Sequence, residues 1–171
     1  LDFEASALDA RSYPIEVGIC RWQAPDAPLE GWSTLITPTE HWATHGLWSR
    51  ASELVHGIAQ EELYEGLSPT ETIKRLNQIA AAGACYCDGG TYDLDWARKL
   101  NAASEIKATF KLGDWDMLTA HLAPNEYMQA IHWMDQTSIP HRAGPDAQRL
   151  MKALARALGV ADGDVVPIAP C

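Results

Sequence analysis

The chain has 171 residues, of which 47% are hydrophobic and 21% are charged, and its formal net charge is −10. This composition is typical of a single globular domain over residues 1–171. It excludes a disordered chain, and no apolar run reaches the roughly 18 residues that a membrane-spanning helix needs. The acidic balance also excludes a protein that coats nucleic acid by bulk positive charge, but not a nuclease whose carboxylates bind metal ions.

The cysteine content favours a reducing environment. The chain has four cysteines, which form neither a disulfide framework nor paired Cys-x-x-Cys motifs: Cys20, Cys85, Cys87 and Cys171. We therefore expect a cytoplasmic protein. Cys85 and Cys87 would point to the same face of a strand, and we interpret them as small buried packing residues.

Three early segments predict β-strands. Residues 1–4 alternate apolar and acidic side chains, while residues 13–22 and 32–36 are rich in β-branched and aromatic residues. The abrupt start at Leu1 predicts that this first strand has residues upstream. Short polar connections between the three segments indicate an antiparallel meander.

The middle of the chain alternates helices with strands. Ser68, Pro69 and Glu71 form a capping box that opens a helix ending at Gly83. A short buried strand then follows over residues 84–88. A helix over residues 92–100 leads to a fifth strand over residues 106–112, where apolar residues alternate with Lys and Thr.

The last third of the chain is predicted to be helical. Asp114 can cap a helix that stops near Pro124, and the next helix is indicated by the spacing of Tyr127, Ile131 and Met134. Pro145 opens a final helix that ends at Gly159, with these residues facing inward: Leu150, Met151, Leu154 and Leu158. The whole order predicts an α/β fold with a five-stranded mixed sheet, three antiparallel strands followed by two parallel ones, flanked by helices.

Four acidic residues occupy positions suited to chemistry. Asp2 and Glu4 lie two apart, so on a strand their carboxylates project from the same face. Like charges held this close repel unless a cation lies between them. Asp93 lies in the first turn of a helix that follows a buried strand, and Asp146 lies in the first turn of the last helix. Open α/β sheets place functional groups at such strand ends and helix starts.

Several motifs together resemble a known family. Asp2-Phe3-Glu4, with the following Tyr-Pro-Ile-Glu-Val-Gly segment at 13–18, resembles the first motif of the DEDDh 3′→5′ exonucleases, the DnaQ-like branch of the ribonuclease H-like fold. The Val-His-Gly-Ile segment at 55–58 and the Thr-Tyr-Asp segment at 91–93 are similar to further family segments. His141 to Asp146 has the form of the third motif, H-x-A-x-x-D. The resemblance covers residues 2 to about 158.

The resemblance implies both a fold and a reaction. The fold is a ribonuclease H-like sheet, and the reaction is removal of 5′-mononucleotides from the 3′ end of single-stranded DNA or RNA, or of a short oligonucleotide. The implied ligands of two divalent cations, Mg²⁺ or Mn²⁺, are Asp2, Glu4, Asp93 and Asp146, with Asp2 as the bridge. His141 is the implied general base. Hard cations prefer carboxylate oxygens, and a neutral imidazole accepts a proton near neutral pH.

The implied substrate contacts come from other segments. The resemblance implies Ala5, Ser6 and Leu8, and it offers His56 either as a cleft residue or as a structural hydrogen-bonding histidine. The local basic charge beside Asp146 adds Arg142 as the favoured phosphate contact. The first motif departs from the family pattern, since many members continue Thr-Thr-Gly-Leu where this chain has Ala-Ser-Ala-Leu at 5–8. Many members also have Asn where this chain has Gly89, and Asp88 offers a neighbouring polar group or serves as a simple turn residue.

Other readings remain open at this stage. The alternative function is a nucleic-acid-binding or partner-binding domain of the same fold without turnover, and a homodimer or a delivery partner is compatible with either function. Trp42 and Trp48 are candidates for stacking on bases, whereas Trp96 and Trp133 are expected in the core. His41 and His45 lack the pattern of a zinc site. The segments 98–112 and 136–159 are locally basic, which suggests a phosphate track beside the site.

Overall fold

The computed structural model describes residues 1–24, 26–160 and 163–169. Its largest sheet has the strand order β1-β2-β3-β6. Strand β1 pairs antiparallel with β2, which pairs antiparallel with β3, so the predicted meander is confirmed. The bounds are β1 Asp2–Ala5, β2 Pro14–Arg21, β3 Glu30–Leu35 and β6 Val166–Pro167. Strand β6, which pairs parallel with β3, was not predicted from the sequence.

A second sheet contains two parallel strands, β4 (Ala84–Cys87) and β5 (Lys111–Asp114). The fifth strand therefore begins later than the predicted residues 106–112. Side chains explain the difference, because they accept hydrogen bonds from the backbone that a strand would need. The Ala108 N–H donates to Asn101 Oδ1 and the Thr109 N–H donates to Asn77 Oδ1, both at 2.8 Å.

The prediction of one five-stranded sheet was wrong, because β1 and β4 are not joined by a strand ladder. The two strands meet at Leu1, whose amino nitrogen donates to the Tyr86 carbonyl at 2.8 Å. Beyond that bond, a cavity of about 480 Å³ lies between residues 19–23, at the end of β2, and residues 84–86 of β4. Only the Leu1 amino group reaches the β4 backbone, so the run of consecutive backbone pairs that a continuous sheet requires does not form among the described residues.

Helices cover both the connections and the last third of the chain. Their bounds are α1 Glu40–His45, α2 Arg50–His56, α3 Pro69–Ala80, α4 Thr91–Ala103, α5 Trp115–Thr119, α6 Pro124–Gln136 and α7 Ala143–Ala157, with a 3₁₀ helix at Gln60–Glu65. The capping box at Ser68 and the cap at Asp114 are confirmed. The short helices at 40–65 were missed, and none of the described helices is long and apolar enough to cross a membrane.

The last helix lies directly on the first sheet. A Cβ atom at Gly18 of β2 would lie 2.1 Å from the Ala143 carbonyl oxygen, so glycine is needed for this close approach. Helix α7 begins at Ala143, two residues before the predicted Pro145. Its first turn lies over β2 beside β1. Leu158 is 43% exposed and does not face inward as predicted, because α7 ends at Ala157.

The core lies between the sheets and α3 and α4. It includes Phe3, Val17, Leu76, Trp96 and Leu100. Trp96 is buried as predicted, whereas Trp133 is half-buried beside the Arg156 guanidinium. Among the cysteines, Cys20, Cys85 and Cys87 are buried thiols, which agrees with a packing role, and Cys171 lies outside the described residues.

Candidate metal and catalytic site

Five carboxylates converge where β1, the end of β4 and the starts of α4 and α7 meet. Their oxygen atoms form two groups, and within each group the ligand atoms lie within 4.8 Å of one another. One group contains Asp2, Glu4 and Asp146, and the other contains Asp2, Asp88 and Asp93. Asp2 belongs to both groups, which is the position that a carboxylate bridging two cations would occupy.

Asp93 is 1% exposed in the first turn of α4. Its Oδ2 atom accepts a hydrogen bond from the Gly89 N–H at 3.0 Å. A Cβ atom at position 89 would lie 2.6–2.8 Å from the atoms of this carboxyl group, closer than van der Waals contact allows. Gly89 therefore lets the backbone pass directly beside Asp93, which accounts for glycine where many members of the resembled family have Asn.

Asp146 is held at one oxygen and lacks a partner at the other. Its Oδ2 atom accepts a hydrogen bond from the Arg142 N–H at 3.0 Å. Its Oδ1 atom is buried and has no hydrogen-bond partner among the described residues. A buried carboxylate oxygen without a partner is costly, so this atom fits a site completed by a cation.

The site raises the pKa values of its carboxyl groups. Burial is the main cause that raises the pKa of Asp2 to about 9, and repulsion from Asp93 and Glu4 adds to it. Burial and the nearby Asp146 raise the pKa of Glu4 to about 7. Burial raises the pKa of Asp93 to about 6, although the Gly89 N–H opposes the shift. Bound cations would reverse these shifts because they favour the charged carboxylates.

A cleft of about 310 Å³ contains this cluster together with His141. His141 lies in the connection between α6 and α7 with φ of +54°, a left-handed conformation that is unusual for a non-glycine residue. Such strain occurs at sites where the surrounding structure imposes it. Three exposed apolar side chains also line the cleft: Leu8, Tyr92 and Ile139. The cleft thus combines an acidic floor, an imidazole and an apolar rim.

The structure places the other predicted substrate contacts outside the cleft lining, apart from Leu8. Ala5 and Ser6 are buried, and Ser6 Oγ accepts a hydrogen bond from the Tyr13 N–H at 3.0 Å. His56 is also buried, and its Nδ1 atom accepts a hydrogen bond from the Ile58 N–H. Burial lowers the pKa of His56, which favours the neutral ring.

Arg142 is also engaged elsewhere. Its Nε and Nη2 atoms donate to the two carboxylate oxygens of buried Glu16 at 3.0 and 2.8 Å. The guanidinium is thereby bound to β2 by a bidentate ion pair. The arginine that lines the cleft is instead Arg149, one turn after Asp146 on α7. The basic segment 136–159 signals a cation in this region, but helical spacing from Asp146 was needed to select Arg149.

The aromatic candidates for base stacking also lie away from the cleft lining. Trp42 stacks on Tyr13, with ring centroids 5.6 Å apart, and Trp48 Nε1 donates to Glu53 at 2.8 Å. His41 and His45 stack on each other on the exposed side of α1. Asp88 and Ile139 are among the cleft residues to which the sequence assigned no definite role. The signals in the sequence were their positions next to Gly89 and close to His141.

The raised pKa values predict an unusual pH dependence of stability. The folded metal-free protein holds protons that the unfolded chain releases, so their stabilising contribution is full below about pH 4 and is lost as the pH rises through about 6, 7 and 9. We expect the Tm in EDTA to fall by about 5 °C between pH 6 and pH 9. The increase in Tm caused by Mg²⁺ should be larger at pH 8.5 than at pH 6, because cation binding releases protons.

Thermal unfolding of the wild type and of Asp2→Asn, each at both pH values, checks this expectation. The variant lacks the carboxyl group whose pKa is raised most, so its Tm should depend less on pH. An identical slope for the two proteins would contradict the assignment of the titration to this site.

The chain was also compared with known proteins by sequence. No protein-family model matches it, and no curated protein matches it.

Proposed function

We propose that the protein is a divalent-metal-dependent 3′→5′ exonuclease that acts on single-stranded DNA or RNA. One observation carries the proposal: a single cleft brings together the five predicted catalytic residues, Asp2, Glu4, Asp93, Asp146 and His141. These residues come from β1, α4, the start of α7 and the connection before it. Only the folded chain brings such distant groups together.

The donor set suits Mg²⁺ or Mn²⁺. It consists of carboxylate oxygens, which hard cations prefer, and it divides into two groups that share Asp2. Glu4 and Asp146 would complete the ligands of one cation, and Asp88 and Asp93 those of the other. Two cations bound there would supply a water nucleophile near neutral pH and stabilise charge on the attacking and leaving oxygens.

The remaining residues have roles that follow from their positions. The His141 imidazole borders the same cleft and is placed to accept the proton of the attacking water. Leu8, Tyr92 and Ile139 are 69%, 51% and 54% exposed, and they offer apolar surface to unpaired bases. The small volume of the cleft fits the end of a nucleic-acid strand. The carboxylates in the cleft would repel the phosphate backbone of that strand unless the cations are bound.

A cleavage assay tests the proposal. The protein is incubated with 5′-labelled single-stranded DNA and RNA in Mn²⁺ and in EDTA. We expect progressive shortening from the 3′ end in Mn²⁺ and none in EDTA, with 5′-mononucleotides as products. Substitution Asp93→Asn should abolish the shortening because it removes a buried carboxylate of the second group.

Asp95→Asn is the matched control. Asp95 lies on the same helix and forms an exposed ion pair with Lys99 at 2.8 Å, away from the cleft lining. Its replacement should leave the rate within about twofold of the wild type. Metal-independent binding of the oligonucleotides without cleavage would instead support the binding-domain alternative, and internal cuts would overturn the exonuclease assignment.

A further inference from the structure

Residues 138–141 connect α6 to α7 and are called the His141 loop here. The loop carries Ile139 and His141 along the cleft, and both residues are exposed. Thr137, the C-cap of α6, precedes it, and Arg142, the N-cap of α7, follows it. The position of the imidazole in the cleft therefore depends on how the two ends of this loop are held.

The second end of the loop is fixed to the first sheet. Arg142 forms the bidentate ion pair with Glu16, and the Ala143 N–H donates to Glu16 Oε2 at 2.9 Å. Glu16 is 3% exposed on β2. A buried carboxylate with three donors is a strong anchor, because loss of any donor leaves a charge partly unpaired.

The first end of the loop is fixed by Arg149. Its Nε atom donates to Thr137 Oγ1 at 3.0 Å, and its Nη2 atom donates to the Met134 carbonyl at 2.6 Å. The Thr137 hydroxyl lies 3.2 Å from the Trp133 and Met134 carbonyls, so it can donate to the last turn of α6 while accepting from Arg149. The planar guanidinium thus ties α7 to the C-terminus of α6, where a cation is also favoured by the helix dipole.

The backbone of His141 requires this restraint. A φ of +54° is unfavourable for histidine, and a free loop would relax toward an ordinary conformation. Arginine contacts at both ends restrict that relaxation. Arg149 also lines the cleft, one helical turn from Asp146.

We propose that Arg149 is a positioning residue that holds the His141 loop beside the cleft through its hydrogen bonds to Thr137 and Met134. The effect on catalysis rests on the proposed exonuclease function, whereas the effect on the loop does not. This role differs from a direct contact with substrate phosphate, because two of the three guanidinium nitrogens already donate to α6.

The test compares Arg149→Gln and Thr137→Val with Thr137→Ser, which keeps the hydroxyl, and with Arg156→Gln. Arg156 also belongs to α7 and contacts α6, but it does so over the Trp133 ring, with its guanidinium carbon 5.4 Å from the ring centroid. Hydrogen–deuterium exchange of the full chain in Mn²⁺ reports on the amides at the two ends of the loop, and steady-state cleavage of a single-stranded oligonucleotide gives kcat and KM. Mn²⁺ titration reports on the carboxylates.

We expect Arg149→Gln and Thr137→Val each to speed exchange by about tenfold at the amides of residues 137 and 142, which donate to the Met134 carbonyl and to Asp146 Oδ2 at the two ends of the loop. Each should also lower kcat by about tenfold or more. KM and the Mn²⁺ affinity should change by less than about threefold. Thr137→Ser and Arg156→Gln should behave as the wild type in all measurements. Rescue by Ser assigns the effect to the hydroxyl rather than to general destabilisation.

Two outcomes would overturn the proposal. If Thr137→Val left exchange and kcat unchanged while Arg149→Gln raised KM, Arg149 would be a phosphate contact. If loop exchange were unchanged in both variants, the loop would be held by other contacts. A wild-type protein without cleavage activity would contradict the proposed function alone, since the exchange measurement still decides whether Arg149 holds the loop.

Discussion

Asp2→Asn is expected to lower the cleavage rate by at least about 1000-fold, equivalent to about 4 kcal/mol of transition-state stabilisation. Asp2 is the residue shared by the two carboxylate groups, so its replacement weakens both proposed cation sites at once. The amide is nearly the same size as the carboxyl group, and the change leaves packing largely intact. Cleavage assays and Mn²⁺ titration of the variant measure the two losses separately.

The same substitution should not destabilise the metal-free fold. The pKa of Asp2 is raised to about 9 by burial and by neighbouring acids, so the charged carboxylate is unfavourable there without a cation. We expect the Tm of Asp2→Asn in EDTA at pH 8.5 to equal or exceed that of the wild type. This combination of lost activity and retained stability distinguishes a functional carboxylate from a structural one.

Asp9→Asn provides a control for the chemistry of the substitution. Asp9 lies in the connection between β1 and β2, and its carboxylate accepts a hydrogen bond from the Arg11 N–H at 2.9 Å. Its replacement should change neither the cleavage rate nor the Mn²⁺ affinity by more than about twofold. Full activity in Asp2→Asn would contradict the proposed metal centre.

His141→Asn is expected to lower kcat by about 100-fold to 10,000-fold while leaving Mn²⁺ binding close to that of the wild type. The imidazole is the proposed proton acceptor, and it does not belong to either carboxylate group. Asn is the appropriate replacement because it tolerates the left-handed backbone that His141 adopts, with φ of +54°. The loss therefore reports on the ring rather than on a change in loop conformation.

His132→Asn is the matched control, since His132 is exposed on α6 and its ring contacts Gln136 rather than the cleft. It should cleave at the wild-type rate. The pH–rate profile of His141→Asn should also lose the limb that the general base contributes. If cleavage persisted at more than about a tenth of the wild-type rate, another group would have to accept the proton.

The local elements follow from the sequence where the signals are short-range. The capping box at Ser68 and the cap at Asp114 depend on residues within one helical turn, and both form as predicted. The strand predicted at 106–112 does not form over its first residues, because the contacts that decide it are long-range. Its backbone N–H groups are taken by Asn77 and Asn101, and the first of these lies about thirty residues away, outside any local pattern.

The candidate site divides in the same way. The motifs that resemble the exonuclease family selected Asp2, Glu4, Asp93, Asp146 and His141, and these residues share one cleft. The sequence pointed to Arg142 as the cation beside the site, whereas Arg149 lines the cleft. The difference depends on Glu16, which lies 126 positions from Arg142 and binds its guanidinium.

The sequence by itself determined the α/β class, the antiparallel meander, most helices and the acids suited to metal binding, because these depend on composition, periodicity and short motifs. The tertiary structure decided which acids share a ligand group, adding Asp88 to Asp2 and Asp93. It also divided the strands between two sheets, which the hydrogen bond from Leu1 to the Tyr86 carbonyl connects. Distances between side chains far apart in the chain depend on how strands and helices pack, and no local pattern encodes them.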